Sequence, residues 1–176
     1  MHIYIRQETK ADHDSVFQLI QSAFKKEEYS DHKEQFLVDR LRASNAYIPS
    51  LSLVATHQEK IVGYILLTKI HIDNGTTLFD ALALAPVAVL PAFQHKGIGS
   101  QLILQSHTIA KDLGFERIIL LGHADYYPRF GYQKTSDYNI QLPFDAPPEN
   151  CMILSLTENG LQDVSGTVVY SKSFLE

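Results

Sequence analysis

The hydrophobic pattern divides the chain into short strand-like runs and a few stretches of helical period. His2 to Gln7 alternates and is rich in branched and aromatic residues, as a strand with one buried face is. Thr9 and Asp12 stand at the spacing at which a helix cap and the third helical residue satisfy each other's backbone donors. After them Val16, Leu19, Ile20, Ala23 and Phe24 recur at helical spacing, which predicts an amphipathic helix. The polar stretch Lys25 to Tyr29 breaks the pattern. Asp31 with Glu34 predicts the start of a second short helix that turns Phe36, Leu37 and Leu41 inward.

Leu51 to Thr56 and Ile61 to Ile72 read as two strands joined through Gln58-Glu59-Lys60, a hairpin. Asp73-Asn74-Gly75 is a strong turn signal, and Thr77 to Leu90 then runs as a long, almost uninterrupted apolar strand. A run without polar alternation predicts a central strand covered on both faces. Gly97 to Leu113 is the clearest helix: Ile98, Leu102, Ile109 and Leu113 share one face, and Gly114 is placed to end it in the left-handed conformation. Arg117 to Leu121 is a short apolar strand. Strand, helix and strand in that order form a βαβ unit, so Leu84–Leu90 and Ile118–Leu121 should be parallel. Met152 to Leu156 and Thr167 to Ser171 add two strands, with the proline-bearing segment Leu142 to Asn150 as a loop. No repeat, low-complexity tract or boundary interrupts the sequence. The expectation is one domain over residues 1–176 with an α/β (α+β) fold.

Composition acts mainly by exclusion. The 176 residues are 45% hydrophobic and 20% charged, with a formal net charge of −5. That balance lacks the cationic surplus of a nucleic-acid binder. A single cysteine, Cys151, rules out a disulfide framework within the chain and argues for a reducing, cytoplasmic compartment. The longest apolar run, Ala81 to Leu90, is too short to span a membrane and contains Pro86. The first residues run straight into charge without the apolar core of a secretory leader. The eight histidines form neither His-x-x-x-His nor His-Glu-x-x-His, so no metal is expected.

The segment that carries chemistry lies where the long apolar strand ends. Val87-Ala88-Val89-Leu90 is followed by Pro91-Ala92-Phe93 and then by Gln94-His95-Lys96-Gly97-Ile98-Gly99-Ser100, which opens the helix. The first turn of a helix has unpaired N–H groups and the positive end of the dipole. Glycines at 97 and 99 let an anion approach that backbone, Lys96 adds charge, and Ser100 adds a hydroxyl donor. The ligand such a cradle suits is a phosphate or pyrophosphate. On these residues alone, glycines that merely pack a helix start explain the pattern equally well. A P-loop is excluded by the absence of Gly-x-x-x-x-Gly-Lys-Ser/Thr, and a dinucleotide fingerprint by Leu102 in place of its third glycine.

In its context the segment is more specific. Gln-x-x-Gly-x-Gly after an apolar strand, together with Tyr127-Pro128-Arg129-Phe130-Gly131-Tyr132, resembles the GNAT superfamily of N-acetyltransferases, specifically its bacterial predicted N-acetyltransferase members. Tyr132 stands where the family has Phe. The resemblance covers essentially the whole chain and implies a GNAT-like mixed, mostly antiparallel central sheet of about seven strands with helices on both faces. It implies the element order β-α-α-βββ before the motif and α-β-α-β after it. It implies acetyl-CoA as co-substrate, no metal, and acetyl transfer to a primary amine of a small molecule or protein, in a monomer or homodimer that binds neither nucleic acid nor membrane. By position, the pantetheine arm would pair with Val87, Ala88 and Val89, and the pyrophosphate would sit on the N–H groups of Gln94, His95, Lys96, Gly97, Ile98, Gly99 and Ser100. Pro86, which lacks an N–H, would mark a bulge beside the site.

Tyr127 matches the tyrosine that protonates the departing thiolate in such enzymes, and Tyr126 beside it has the same chemistry. No residue is singled out as the base; His123 is a candidate base or coenzyme contact, with Asp125 and Asp80 behind it. The N–H of Val89 is a candidate donor to the thioester oxygen. Tyr29 and His32, in the loop between the first two helices, are candidates for contact with the acceptor. The alternative from another class is a non-catalytic acyl-CoA-binding sensor or scaffold module.

Overall fold

In the computed structural model, which describes residues 1–176, the alternating and apolar runs join in one mixed sheet of nine strands. The chain order is β1 (Tyr4–Gln7), α1 (His13–Phe24), α2 (Glu34–Arg42), β2 (Tyr47–His57), β3 (Lys60–Asp73), β4 (Leu78–Val89), α3 (Ile98–Asp112) and β5 (Arg117–Leu121). Then follow β6 (Gln133–Lys134), β7 (Ile140–Gln141), β8 (Cys151–Ser155), β9 (Gly166–Val169) and α4 (Lys172–Leu175). The path across the sheet is β1-β2-β3-β4-β5-β8-β6, with β9 beside the outer end of β3 and β7 on β9. Only β4–β5 and β7–β9 are parallel. Seven of the nine strands match the runs read from the sequence. The other two, β6 and β7, are two residues each and too short to carry a pattern.

The helices cover both faces. Val16, Leu19 and Ile20 of α1 and Val38 and Leu41 of α2 pack with Val54, Tyr64 and Leu66. Ile98, Leu102, Ile103 and Ala110 of α3 pack on the other face with Leu53, Ile65 and Leu67. Gly63 lets α3 approach: a Cβ there would lie 3.0 Å from both Ile98 Cγ2 and Leu102 Cδ1.

Four expectations change. Leu41 is buried as expected, but Phe36 is 49% exposed, because α2 turns Gln35 and Val38 inward in its place. Asp31 does not cap α2; its carboxylate accepts the Lys33 N–H at 2.9 Å in the preceding turn. Leu113 is 48% exposed because it lies past the last turn of α3. The helix expected between β5 and the next strand is only a 3₁₀ turn over Tyr127–Phe130, confined by Pro128 and by Gly131 at φ +96°. As expected, Gly114 (φ +92°) ends α3 in the left-handed conformation, with the Phe115 N–H returning to the Ala110 carbonyl at 3.1 Å.

Candidate active site

The parallel pair at the centre of the sheet is short. β4 and β5 meet only at Leu82↔Ile118 and Ala83↔Ile119 and then separate. The β3–β4 register shifts between the pairs Ile65↔Val87 and Leu67↔Leu84, which places the bulge at Ala85-Pro86, where proline cannot donate to the ladder. Beyond the bulge β4 stays on β3, through Val87↔Ile65 and Val89↔Gly63, while its other edge has no strand beside it. The Leu90 N–H donates to the Val62 carbonyl at 2.9 Å, so alternation turns the N–H of Val89 to the open side. The Val89 carbonyl accepts the Gln94 side-chain amide at 3.1 Å, which ties the loop to the strand. The gap between the strands is a cleft of about 480 Å³, with Ala83–Val87 along one wall and Ile119–His123 along the other.

At the Val89 end of this cleft stands the start of α3. Gly97 precedes the helix at φ +81° and His95 lies at φ +63°. A Cβ on Gly97 would meet nothing within 4 Å, so the approach to the cradle is open. Ile98 is 1% exposed and anchors the turn in the core. The Gln101 N–H is the first to find a helical acceptor, the Gly97 carbonyl at 3.1 Å. The N–H groups of Ile98, Gly99 and Ser100 therefore remain without helical partners. A Cβ on Gly99 would point between Tyr126 Oη (3.4 Å) and Val89 Cγ2 (3.8 Å). The free N–H groups of the first turn thus begin beside Val89, whereas the Gln94 N–H already donates to the Pro91 carbonyl at 3.3 Å.

The two tyrosines separate by position. Tyr126 Oη lies 3.3 Å from Ser100 Oγ, at the cradle, and the Arg129 guanidinium covers its ring at 4.5 Å. Tyr127 is buried in the cleft wall, flat against Gly122, where a Cβ would come within 2.4 Å of its Cε2. It meets Tyr126 edge-on at 5.1 Å and Tyr132 at 5.8 Å. The Tyr132 hydroxyl in turn lies 2.8 Å from His107 Nε2 on α3. Burial, with a smaller push from Tyr126, raises the Tyr127 pKa above the ordinary phenol value, so it keeps its proton. Burial also raises Tyr132 and pushes His107 down to about 4. Tyr127, Tyr132 and His107 are therefore neutral at pH 7.

The cleft opens into an outer groove of about 580 Å³ lined by both His123 and Tyr29. Glu27, Glu34, Asp145 and Glu149 line this groove, and Glu27 and Glu34 reach the cleft as well. Asp80 lies elsewhere, paired with His71 at 3.3 Å near the far end of β4. His32 faces a separate groove with Gln21 and Gln35, its Nδ1 donating to the Phe24 carbonyl at 2.9 Å. Lys25 to Glu28 reads in the sequence as an ordinary solvated cluster, yet Glu27 faces the groove. Phe144, Tyr170 and Phe174 also line the cleft wall. They stack in series at 5.8 and 4.5 Å, brought there by the C-terminal segment, and nothing local in the sequence marks them. Cys151 is buried, and its thiol lies 3.6 Å from the Pro147 carbonyl. No group of three or more His, Cys, Asp or Glu side chains is placed to hold a metal ion. No helix is long and apolar enough to cross a membrane.

Comparison with known proteins agrees with this geometry. Residues 49–134 match the family model described as an acetyltransferase (GNAT) domain. YjhQ of Escherichia coli K12, an uncharacterized N-acetyltransferase, is 36% identical over 129 residues, 71% of either chain. A GNAT family acetyltransferase from Brucella melitensis, solved in complex with acetyl-CoA, is 31% identical with a TM-score of 0.80 over 98% of both chains. The fold is also that of YhbS from Escherichia coli, solved in complex with CoA, at a TM-score of 0.88 and 22% identity over 100% of this chain and 93% of that one. The parted β4 and β5, the open start of α3 and these likenesses converge: the chain belongs to the GNAT family of N-acetyltransferases.

Proposed function

We propose that this protein transfers an acetyl group from acetyl-CoA to a primary amine by direct attack, with Tyr127 as general acid. The observation that carries the reading is the cleft itself: an open strand edge, an anion cradle at one end and a protonated tyrosine in the wall. The pantetheine arm lies along Val87, Ala88 and Val89, and the pyrophosphate rests on the N–H groups of His95, Lys96, Gly97, Ile98, Gly99 and Ser100, the Gln94 N–H being already given to the Pro91 carbonyl at 3.3 Å. The Brucella melitensis relative, solved with acetyl-CoA, supports this donor.

The acceptor enters from the outer groove past Tyr29 and His123, and the carboxylates there favour a protonated amine. His123, which lines both groove and cleft, takes the proton that the amine must lose before attack. The neutral amine forms a bond to the thioester carbon, and the Val89 N–H stabilises the oxyanion that results. Collapse expels the coenzyme thiolate, which takes the Tyr127 proton, and the second proton shed by the nitrogen as it becomes an amide returns through solvent to the Tyr127 phenolate. Tyr127 rather than Tyr126 serves because the Tyr126 hydroxyl is at the cradle, beside Ser100.

The test is a mass-spectrometric screen of an amine panel, followed by Tyr127→Phe on the best acceptor. Tyr127→Phe should lower kcat by roughly 10²–10⁴ with coenzyme affinity kept. Transfer at full rate would remove Tyr127 from the mechanism. Coenzyme binding with no acetylated amine in the panel would favour a sensor or scaffold module instead.

A further inference from the structure

Lys60 and Lys96 share one aromatic ring. The Lys60 ammonium lies 6.0 Å and the Lys96 ammonium 5.4 Å from the centroid of Phe93. Lys60 comes from the β2–β3 turn, where Gln58 (φ +49°) and Glu59 (φ +65°) both adopt the left-handed conformation and fold Lys60 back against His57. His57 supports the ring from the side, at 5.9 Å between centroids, and its Nδ1 donates to the His2 carbonyl at 3.0 Å. Neither lysine takes part in an ion pair, not even with Glu59 of the same turn. Two ammonium groups over one ring repel each other, and a dianion between them reverses the sign of that interaction.

The cradle at Gln94–Ser100 uses backbone N–H groups, so the Lys96 side chain is left over. Coenzyme A carries one anionic group besides its pyrophosphate, the phosphomonoester on the ribose 3′ carbon, with nearly two charges at neutral pH. We propose that Lys60 and Lys96, held over Phe93, bind the 3′-phosphate of the coenzyme, so that the β2–β3 turn selects the phosphorylated ribose. This rests on the acetyl-CoA reading above.

Calorimetric titration of the full chain with CoA and with 3′-dephospho-CoA tests it. The wild-type protein should bind CoA at least roughly tenfold more tightly, a preference that shrinks as salt is added. Lys60→Ala should reduce the ratio to within about twofold by weakening CoA alone, and Lys60→Arg should keep most of it. Equal wild-type affinity for the two nucleotides overturns the proposal, as does an equal loss for both in Lys60→Ala. If neither nucleotide binds the wild-type protein, the acetyl-CoA reading fails, and this site fails with it.

Discussion

His107 couples the cleft wall to pH. Its Nε2 lies 2.8 Å from the Tyr132 hydroxyl, and burial pushes its pKa from 6.5 down to about 4. In the unfolded chain the same imidazole takes up a proton near pH 6.5. The folded protein resists that proton, so the stability due to neutral His107 is complete above about pH 6.5 and is lost as pH falls toward 4. A difference of 2.5 units corresponds to about 3 kcal/mol lost by pH 4. Asp12, held down to about 2 chiefly by its hydrogen bond from Arg6, moves stability the same way as pH falls. By pH 4 it accounts for only a few tenths of a kcal/mol, roughly, and most of its share is lost below that. A drop of about 3 kcal/mol lowers the midpoint of thermal unfolding by roughly 10 °C in a chain of this length. The assay is urea unfolding of wild type and His107→Gln at intervals from pH 7.5 to 4. His107→Gln should be nearly flat across that window, whatever its stability at neutral pH. A variant that loses as much as wild type would refute the assignment, and so would a flat wild-type profile.

Two glycines give further tests. Gly122→Ala would put a Cβ within 2.4 Å of Tyr127 Cε2, so the ring must leave its place. We expect a loss of about 1–3 kcal/mol of stability and a fall in kcat with little change in coenzyme affinity, read by thermal melts and steady-state kinetics. Gly99→Ala meets only ordinary contacts, at 3.4 and 3.8 Å, and replaces glycine by a better helix former. Its melting temperature should hold or rise while CoA affinity drops roughly tenfold, because the methyl group occupies the side of the cradle that the anion approaches. Unchanged affinity would mean that Gly99 serves helix packing alone.

Much of this was legible in the chain because local pattern and tertiary placement agree. Thr77–Leu90 is apolar apart from Thr77 and Asp80 because β4 is covered on both faces, and Pro86 announces its bulge. The Gln94–Ser100 segment is local, so its geometry could be read in one dimension. What escaped depends on distant contacts. Phe36 falls within the helical pattern yet lies outside, since half a turn of phase decides which face of so short a helix as α2 is buried. The roles of Tyr126 and Tyr127 separate only once Ser100 and Gly122 are in place around them. Glu27 gains a role only when residues near Glu149 fold back across it. Phe93 reads as an ordinary loop aromatic until the β2–β3 turn brings Lys60 to its ring.

The parting of β4 and β5 also determines how the molecule bears strain. The sheet behaves as two panels, one of β1 to β4 and one of β5, β8 and β6, joined along a seam only two residue pairs long. The cores on the two faces run across this seam, so the panels are held at their angle by side-chain packing rather than by ladder hydrogen bonds. In the proposed complex an extended donor arm lies in that angle and lengthens the seam through its amides. The coenzyme then stiffens the enzyme by standing in for a strand. On that proposal the departing coenzyme takes with it the hydrogen bonds of a borrowed strand.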